Sequence, residues 1–282
     1  MSKEESIQET LRRAAAQLRT ATDRPRLEAE ILLAHLLGRA RVFLHAHPEM
    51  PLTARQIATY SAWIHRRAAH EPLPYLTGEI EFYGRDFTIT PEVLIPRPET
   101  ELLVETALAW TATHEARRVV DVGTGSGCIA VTLATELRGL QVVATDLSAA
   151  ALRVARVNAR RHDVAARVSC VQADLLTPLS GPFDLIVSNP PYVTEGEWAT
   201  LPPSVRQEPR QALLAGPQGL DVIRRLLFQA RSRLQPDGLL LVEIGERQGA
   251  AVRALAQATF PQAEVCLLQD LAGRDRLLRL KV

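Results

Sequence analysis

Arg118-Val119-Val120-Asp121-Val122-Gly123-Thr124-Gly125-Ser126-Gly127 is the segment from which the architecture of this chain can be read. Its valines predict a buried strand, and its glycines predict a tight turn into a helix that begins at Cys128. Strands and helices alternate from here onward, which is typical of a parallel, doubly wound sheet. We therefore predict an α/β fold for the larger part of the chain.

Seven strands are predicted for this sheet, over 119–122, 141–145, 168–171, 183–187, 239–244, 265–268 and 277–280. The last two strands are expected to pair antiparallel at one edge. Helices are predicted over 128–137, after the cap Ser148, over 222–234 and over 251–258, with an irregular insertion before 222. The prediction is a Rossmann-like domain over residues 99–282, opened by a helix that carries Leu102 to Trp110.

The first part of the chain has a different pattern. Apolar residues recur at helical spacing over 7–18, over 27–37 up to Gly38, and after the N-cap Thr53, so we predict a small all-helical domain over residues 1–72. Residues 73–98 are rich in Pro, Gly and β-branched residues and predict a β-hairpin linker with its turn at Tyr83-Gly84.

Composition restricts the function classes. Lys and Arg number 33 against 32 Asp and Glu, a formal net charge of +1, so we expect no direct reading of nucleic acid, although a local basic patch stays possible. The polar start and the absence of a membrane-length apolar run favour a cytoplasmic protein. We expect a monomer. Three scattered cysteines indicate no disulfide framework, and His45 with His47 lack further ligands at metal-binding spacing, so no metal site is predicted.

Polar or glycine-rich residues follow four successive predicted strands. In open α/β sheets, ligands bind outside the carboxyl ends of the strands, so these residues should converge on one crevice. The glycines of 123–127 permit close backbone approach to a ligand at a helix N-terminus. Asp146 ends the second strand and is placed to accept both hydroxyl hydrogens of a ribose, while Asp174 ends the third and is placed to meet an adenine edge. Helix capping and loop solvation are the alternative interpretations of these two carboxylates.

The glycine segment has a second interpretation. Gly125-Ser126-Gly127-Cys128-Ile129-Ala130 also satisfies the looser G-x-G-x-x-A pattern of nicotinamide-dinucleotide sites. Against that alternative, nothing in the sequence indicates a pocket for a hydride acceptor.

The fourth strand ends in Ser188-Asn189-Pro190-Pro191-Tyr192. Two prolines lack N–H groups and have fixed φ, so the turn presents carbonyl acceptors rigidly, and Asn189 adds a side-chain carbonyl. Such a turn can accept hydrogen bonds from an NH₂ group, and Tyr192 can pack against a planar amide or base. We predict that Asn189, Pro190 and Tyr192 form the catalytic group, with Asn189 and Pro190 accepting the two N–H bonds of the substrate nitrogen. The alternative is a Pro-rich turn with a merely packed tyrosine.

These residues resemble the protein-(glutamine-N5) methyltransferases that act on peptide chain release factors. The resemblance covers nearly the whole chain. The motifs that carry it are Tyr75 to Gly78, Glu81 to Gly84, Leu94 to Glu101, the glycine loop and Asn189 to Tyr192. It implies a methyltransferase sheet whose cofactor is S-adenosyl-L-methionine, and an amino-terminal helical domain that helps dock the release factor.

The resemblance also implies roles for individual residues. The cofactor would be bound by Gly123, Thr124, Gly125, Ser126, Gly127, Asp146 and Asn189, beside Asp174. Leu175 stands where some members have a tryptophan, so apolar packing replaces stacking on the adenine. The glutamine of the Gly-Gly-Gln motif would be received by Asn189, Pro190, Pro191 and Tyr192. Independently of the resemblance, Pro96 and Pro98 stiffen the charged segment before the next helix, so we predict that its Arg97 and Glu99 form one wall of the substrate site; simple helix initiation is the alternative interpretation.

Three other functions remain open at this point. A ribosomal-protein glutamine methyltransferase is favoured by Leu201-Pro202, Arg206, Glu208-Pro209 and Gly219-Leu220, whereas the linker favours release factors. An adenine-N6 nucleic-acid methyltransferase should carry a basic recognition region, which the balanced charge does not indicate. A cofactor-binding regulatory protein is disfavoured because the glycine loop and the Asn189 turn are both intact.

Overall fold

The computed structural model describes residues 5–282, which divide into two compact units. The first comprises the amino-terminal residues up to Glu79 together with Pro202–Gln207, and the second comprises Ile80–Leu201 and Glu208–Val282. Within the described residues, no helix has both the length and the apolar character needed to cross a membrane.

The first unit is a small helical bundle. Its helices are α1 (Ile7–Leu18), α2 (Pro25–Leu37), α3 (Arg41–Ala46), α4 (Ala54–Ala68) and α5 (Leu73–Thr77), and the short strands β1 (Glu5–Ser6) and β2 (Pro51–Leu52) pair antiparallel. Capping boxes start α1 and α4, since Ser6 pairs with Glu9 and Thr53 pairs with Gln56. Gly38 ends α2, as the sequence predicts, and the structure shows it in the left-handed conformation. Helices α3 and α5 were not predicted.

The second unit is built on a seven-stranded sheet of order β10-β11-β9-β8-β5-β6-β7. Its strands are β5 (Arg118–Val122), β6 (Gln141–Asp146), β7 (Val168–Gln172), β8 (Phe183–Ser188), β9 (Leu234–Glu243), β10 (Glu264–Gln269) and β11 (Asp275–Lys281). Strands β5 to β9 run parallel, and β11 is antiparallel to both β9 and β10. The chain order reverses between β5 and β8, so the switch point lies at their carboxyl ends.

Helices cover both faces of this sheet. On one face, α6 (Glu101–Thr111), α7 (Cys128–Glu136) and α8 (Ala149–Arg161) contribute to one buried cluster. On the other, α9 (Asp221–Ala230) and α10 (Gly249–Thr259) form a second cluster. The predicted α/β, doubly wound, seven-stranded Rossmann-like sheet with an amino-terminal helical domain is confirmed.

The predicted hairpin is present as β3 (Glu79–Phe82) and β4 (Arg85–Thr88). Tyr83 and Gly84 both have positive φ, of 51° and 69°, the conformation of a two-residue hairpin turn. Phe82 and Phe87 are buried in the core of the second unit, so apolar contacts hold the hairpin against the sheet domain.

The predicted helix over 222–234 was too long. Helix α9 ends at Ala230, and Leu234 already pairs with Phe183 as the first residue of β9. Pro236, Asp237 and Gly238 then interrupt the pairing, which resumes at Leu239 opposite Leu185. Strand β9 therefore starts before the Pro-Asp-Gly interruption rather than after it.

Candidate active site

A cavity of about 290 Å³ opens at the carboxyl ends of β5, β6, β7 and β8. Seven of the predicted site residues line it, namely Gly123, Gly125, Asp146, Asp174, Leu175, Asn189 and Pro191. Three further stretches contribute residues to the wall, namely Glu92 to Leu94, Leu147 with Ser148, and Pro209, Gln211, Ala212 and Leu214. The strand ends that the sequence marks thus come together at the switch point, as expected for an open α/β sheet.

The glycine loop is shaped by its backbone. Gly125 has a φ of +56°, a backbone conformation that residues with a side chain rarely adopt. Its N–H donates to Asp146 Oδ2 at 2.9 Å. Gly127 has a φ of +82° and directly precedes α7, and a Cβ there would lie 3.1 Å from Cα of Ala155. The loop therefore needs glycine at Gly127 for close packing and at Gly125 for its path along the cavity.

Thr124 and Ser126 are buried within the loop and do not line the cavity. Thr124 Oγ1 donates to Oδ2 of Asp121 at 2.6 Å, and the Ala130 N–H donates to the same oxygen at 3.1 Å. Burial raises the pKa of Asp121 to about 7. Thr124 and Ser126 therefore lie inside the loop and stabilise its shape. Direct contact of Thr124, Ser126 or Gly127 with a cofactor stays a prediction.

The carboxylates of Asp146 and Asp174 lie at the carboxyl ends of β6 and β7. Asp146 accepts from Gly125 N–H through Oδ2 and from Ser148 N–H at 2.8 Å through Oδ1, while burial raises its pKa. Asp174 lies beside Arg225, with 2.5 Å between Oδ2 and the guanidinium. Two leucines flank these acids: Leu147 is 53% exposed, and Leu175 has a φ of +55°, an unusual backbone for a leucine.

The charge of the lining favours a cationic ligand. Its ionisable side chains are three carboxylates, of Glu92, Asp146 and Asp174, and one guanidinium, of Arg225. An acid at the end of the second strand, such as Asp146, occurs in dinucleotide sites too. Glu92 and Asp174 add two further carboxylates to the lining, and a ligand with an anionic pyrophosphate does not favour this excess.

The Asn189 turn is fixed by a short chain of hydrogen bonds. Asn189 Nδ2 donates to Thr100 Oγ1 at 3.1 Å, and Thr100 Oγ1 donates to Glu243 Oε2 at 2.7 Å. Within residues 5–282 no hydrogen bond engages Oδ1 of Asn189. That oxygen is consequently the atom of the carboxamide that a ligand can reach.

The rest of the turn is less exposed to the cavity. Pro191 lines it, whereas Pro190 is buried and Tyr192 is half-buried. The backbone carbonyl of Tyr192 accepts a 3.0 Å hydrogen bond from Gln248 Nε2, and burial raises the pKa of the phenol to about 12. The phenol is therefore un-ionised at neutral pH, and its predicted role as a packing surface stays a prediction.

Arg97 and Glu99 lie beside the turn and outside the cavity lining. Arg97 pairs with Glu208 at 2.5 Å, and Glu208 also accepts from Ile95 N–H at 3.0 Å. Glu99 is exposed. Both charges act on the phenol, because Arg97 lowers the pKa of Tyr192 and Glu99 raises it, each by less than burial does. Their assignment to the substrate stays a prediction.

Four residues that hold the predicted site residues in place were not themselves predicted, namely Thr100, Glu208, Glu243 and Gln248. Two of them carry a signal in the sequence. Glu243 is an acid within the apolar run Leu239 to Ile244, and an acid in a buried strand needs a partner. Thr100 is a hydroxyl residue directly before α6, a position at which threonine is a common cap, although its side chain makes no capping hydrogen bond in the structure. In the described part of the chain, no group of three or more His, Cys, Asp or Glu can hold a metal ion.

Comparisons with known proteins agree with this architecture. A family model described as the methyltransferase small domain matches residues 98–202, and one described as the PrmC N-terminal domain matches residues 9–78. The hMettl16 catalytic domain, solved in complex with MAT2A 3'UTR hairpin 1, has the same fold, with a TM-score of 0.59 at 17% identity over 88% of this chain and 90% of that chain. Fold and cavity thus define a Rossmann-like methyltransferase.

Sequence relatives define the family more narrowly. A release factor glutamine methyltransferase of Moorella thermoacetica is 46% identical over 98% of this chain and 97% of its own length. A release factor glutamine methyltransferase of Nitratidesulfovibrio vulgaris is 45% identical over 97% of this chain and 94% of its own length. The chain belongs to the release factor glutamine methyltransferase family, and the resemblance found in its motifs is confirmed.

Proposed function

We propose that this protein transfers a methyl group from S-adenosyl-L-methionine to the N5 side-chain amide of the glutamine in the Gly-Gly-Gln motif of bacterial class-1 release factors, and so modulates translation termination. The observation that carries the proposal is the hydrogen bonding of the Asn189 carboxamide. Its amide nitrogen is bonded to Thr100 at 3.1 Å, which leaves its oxygen available at the edge of a cavity with nucleoside-binding character.

The residues of the cavity fit the proposed cofactor. Carboxylate oxygens of Asp146 suit ribose hydroxyl groups, and Asp174 suits an exocyclic amine. Leu147 and Leu175 offer apolar surface to a planar base. The carboxylate excess suits a ligand with a sulfonium charge. When bound, S-adenosylmethionine supplies an activated methyl group on a positively charged sulfur.

The residues of the chain must orient a weak nucleophile. The lone pair of a carboxamide nitrogen is delocalised, so the nitrogen needs fixed geometry and polarisation. Asn189 Oδ1 and the Pro190 carbonyl accept the two N–H bonds of the glutamine amide, and Tyr192 packs against its plane. Both acceptors favour the charge that develops on nitrogen as the lone pair localises. A strong general base is unnecessary because the alkylated nitrogen becomes acidic and then loses its proton.

The proposed partner and place of action follow from this chemistry. A release factor is a protein of the translation machinery, so we place the reaction in the cytoplasm, with the enzyme acting as a monomer. The amino-terminal domain of residues 1–72 helps dock the factor, the segment 73–98 links it to the methyltransferase domain of 99–282, and Arg97 with Glu99 contacts the substrate.

Mass spectrometry tests the proposal. Purified release factor is incubated with this protein and S-adenosylmethionine, and the expected product has one added methyl on the Gly-Gly-Gln glutamine. Asn189→Ala should abolish the product and leave cofactor affinity, measured by calorimetry, within about threefold. Gln262→Ala, which removes an exposed carboxamide of the same domain, should retain full activity.

Other outcomes would redirect the assignment. Methylation of a ribosomal protein, or of adenine in nucleic acid, in place of the release factor would move the protein to a sister group with the same fold. A loss of cofactor affinity in Asn189→Ala as large as the loss of turnover would place Asn189 in the cofactor site alone.

A further inference from the structure

Three residues from distant parts of the chain meet behind the proposed substrate site. Strands β8 and β9 pair with Ser188 opposite Val242, so the next residues along them, Asn189 and Glu243, emerge side by side at the carboxyl edge of the sheet. Thr100 reaches this point from the start of α6 and contacts both side chains. Glu243 is almost fully buried, with 2% of its surface exposed.

The Thr100 hydroxyl is free to make these contacts because it does not cap α6. Thr100 ends a short 3-10 helix, Pro98–Thr100, with helical φ and ψ of −68° and −18°, whereas a capping side chain needs an extended backbone to accept from the first turn. The hydroxyl is engaged by Glu243 and Asn189 instead.

The direction of each hydrogen bond follows from the chemistry of the three groups. A threonine hydroxyl has a single hydrogen, and an ionised carboxylate can only accept, so Thr100 donates to Glu243. The hydroxyl oxygen then has only lone pairs left for Asn189. An amide nitrogen can satisfy them and an amide oxygen cannot, which determines the flip state of the Asn189 carboxamide.

We propose that ionised Glu243, acting through Thr100, is a positioning residue that keeps Asn189 Oδ1 turned toward the substrate amide, and that protonation of Glu243 disables the site. This inference rests on the proposed function. Once protonated, Glu243 donates to Thr100, and the hydroxyl hydrogen turns toward Asn189. The carboxamide then flips to accept it, which presents Nδ2 to the substrate. Two NH₂ groups facing each other cannot form a hydrogen bond, so substrate recognition fails.

The surroundings of Glu243 place its titration near neutrality. Burial is the largest influence and raises its pKa to about 7, with the Thr100 hydroxyl opposing it. Arg276 and Arg97 lower the pKa, while Glu99 raises it. The other titratable groups in electrostatic contact with Glu243 are the Tyr192 phenol and the Cys128 thiol, whose pKa values are both raised to about 12, so both stay neutral near pH 7.

The test is the pH profile of release-factor methylation. In the wild type, kcat/KM for the release factor should fall as pH drops below about 7, approaching tenfold per pH unit. Glu243→Gln should lose this acid limb and be about 10-fold slower on the plateau, because a glutamine amide no longer imposes one hydrogen-bond direction on Thr100. Affinity for S-adenosylmethionine should change by less than about threefold in each case.

A second pair of variants guards against a folding defect. Thr100→Val removes the relay and should lower kcat/KM by about 10- to 100-fold, whereas Thr100→Ser keeps the hydroxyl and should restore activity to within about threefold. Thermal unfolding identifies any variant that has lost its structure. Glu264→Gln, in which an exposed acid of the same domain is changed, should keep the wild-type profile.

The outcomes distinguish failure of the positioning role of Glu243 from failure of the proposed function. An acid limb that persists in Glu243→Gln, or a Thr100→Val variant with wild-type kcat/KM, would overturn the positioning role alone. A wild-type protein that methylates no release factor would overturn the proposed function and this inference with it.

Discussion

The backbone N–H of Gly125 donates a 2.9 Å hydrogen bond to Oδ2 of Asp146, and this bond ties the glycine loop after β5 to the end of β6. The other oxygen of Asp146 accepts from Ser148 N–H at 2.8 Å. Each carboxylate oxygen still has a lone pair after these bonds. Asp146 can therefore hold the shape of the loop and accept hydrogen bonds from a ligand at the same time.

Asp146→Asn should weaken S-adenosylmethionine binding by about 10- to 100-fold. A carboxamide has only one oxygen, so one of the two backbone N–H groups would face an NH₂ group and the loop would lose an anchor. Isothermal titration calorimetry measures the change. Asp237→Asn is the matched control because Asp237 is exposed in the same domain and has a φ of 63°, which asparagine tolerates. Unchanged affinity in Asp146→Asn would refute the anchoring role.

Gln248→Ala should lower the free energy of unfolding by about 2 to 3 kcal/mol and also reduce turnover. The Gln248 amide donates to the carbonyls of Tyr192 and Gly219 and accepts from Gly245 N–H, each at 3.0 Å. Removal of the side chain leaves all three backbone groups without this partner and loosens the Tyr192 end of the turn. Urea unfolding, with the exposed Gln262→Ala as control, measures the stability change; a loss below about 0.5 kcal/mol would mean that water replaces the side chain.

Much of the fold was predictable because local signals and the global fold agree. Thr53 and Ser148 cap their helices as predicted, since a short polar side chain can satisfy the free N–H groups of a first turn. Strand-ending acids and glycines also predicted the cavity residues, because parallel strands bring their carboxyl ends to one edge. The predicted end of α9 was wrong because local sequence signals do not assign Leu234. A leucine fits a buried helix and a buried strand equally well, and only the pairing of Leu234 with Phe183 places it in β9.

The support of the site could not be predicted in the same way. Thr100 and Glu243 are 143 positions apart, and their contact depends on β9 lying next to β8, an order that apolar periodicity does not reveal. Glu208 lies in the irregular insertion, where no period indicates which way a side chain points. Sequence reasoning therefore identified groups at the cavity and missed most of the groups that hold them in place.

Arg97→Leu should lower the free energy of unfolding by about 3 kcal/mol, because it leaves the buried carboxylate of Glu208 without its charged partner. The double variant Arg97→Leu with Glu208→Leu should be less destabilised than Arg97→Leu alone, since no unpaired charge remains. Cofactor affinity should fall in the double variant, because Glu208 accepts from Ile95 N–H and so joins the segment next to Leu94 to the segment next to Pro209, and both segments line the cavity. Chemical denaturation and calorimetry check the two effects; simple additivity of the two substitutions would contradict this account.

The pH dependence of stability should reveal the buried carboxyl group of Asp121. Burial raises its pKa from 3.8 to about 7, so between these values the folded protein holds a proton that the unfolded chain releases. Stability contributed by the protonated group is complete below about pH 3.8 and is lost as pH rises through about 7. The full shift corresponds to at most about 4 kcal/mol.

Asp121→Asn should remove this dependence. An asparagine oxygen can still accept from Thr124 and Ala130, and its NH₂ group takes the position of Oδ1, which has no partner within residues 5–282. Urea unfolding at intervals from about pH 4 to about pH 8 should show the wild type losing more stability than the variant as pH rises, with the difference concentrated below the folded pKa. Asp237→Asn, at an exposed position, should follow the wild-type curve. Parallel curves for Asp121→Asn and the wild type would show that Asp121 is already ionised in the folded protein across this range.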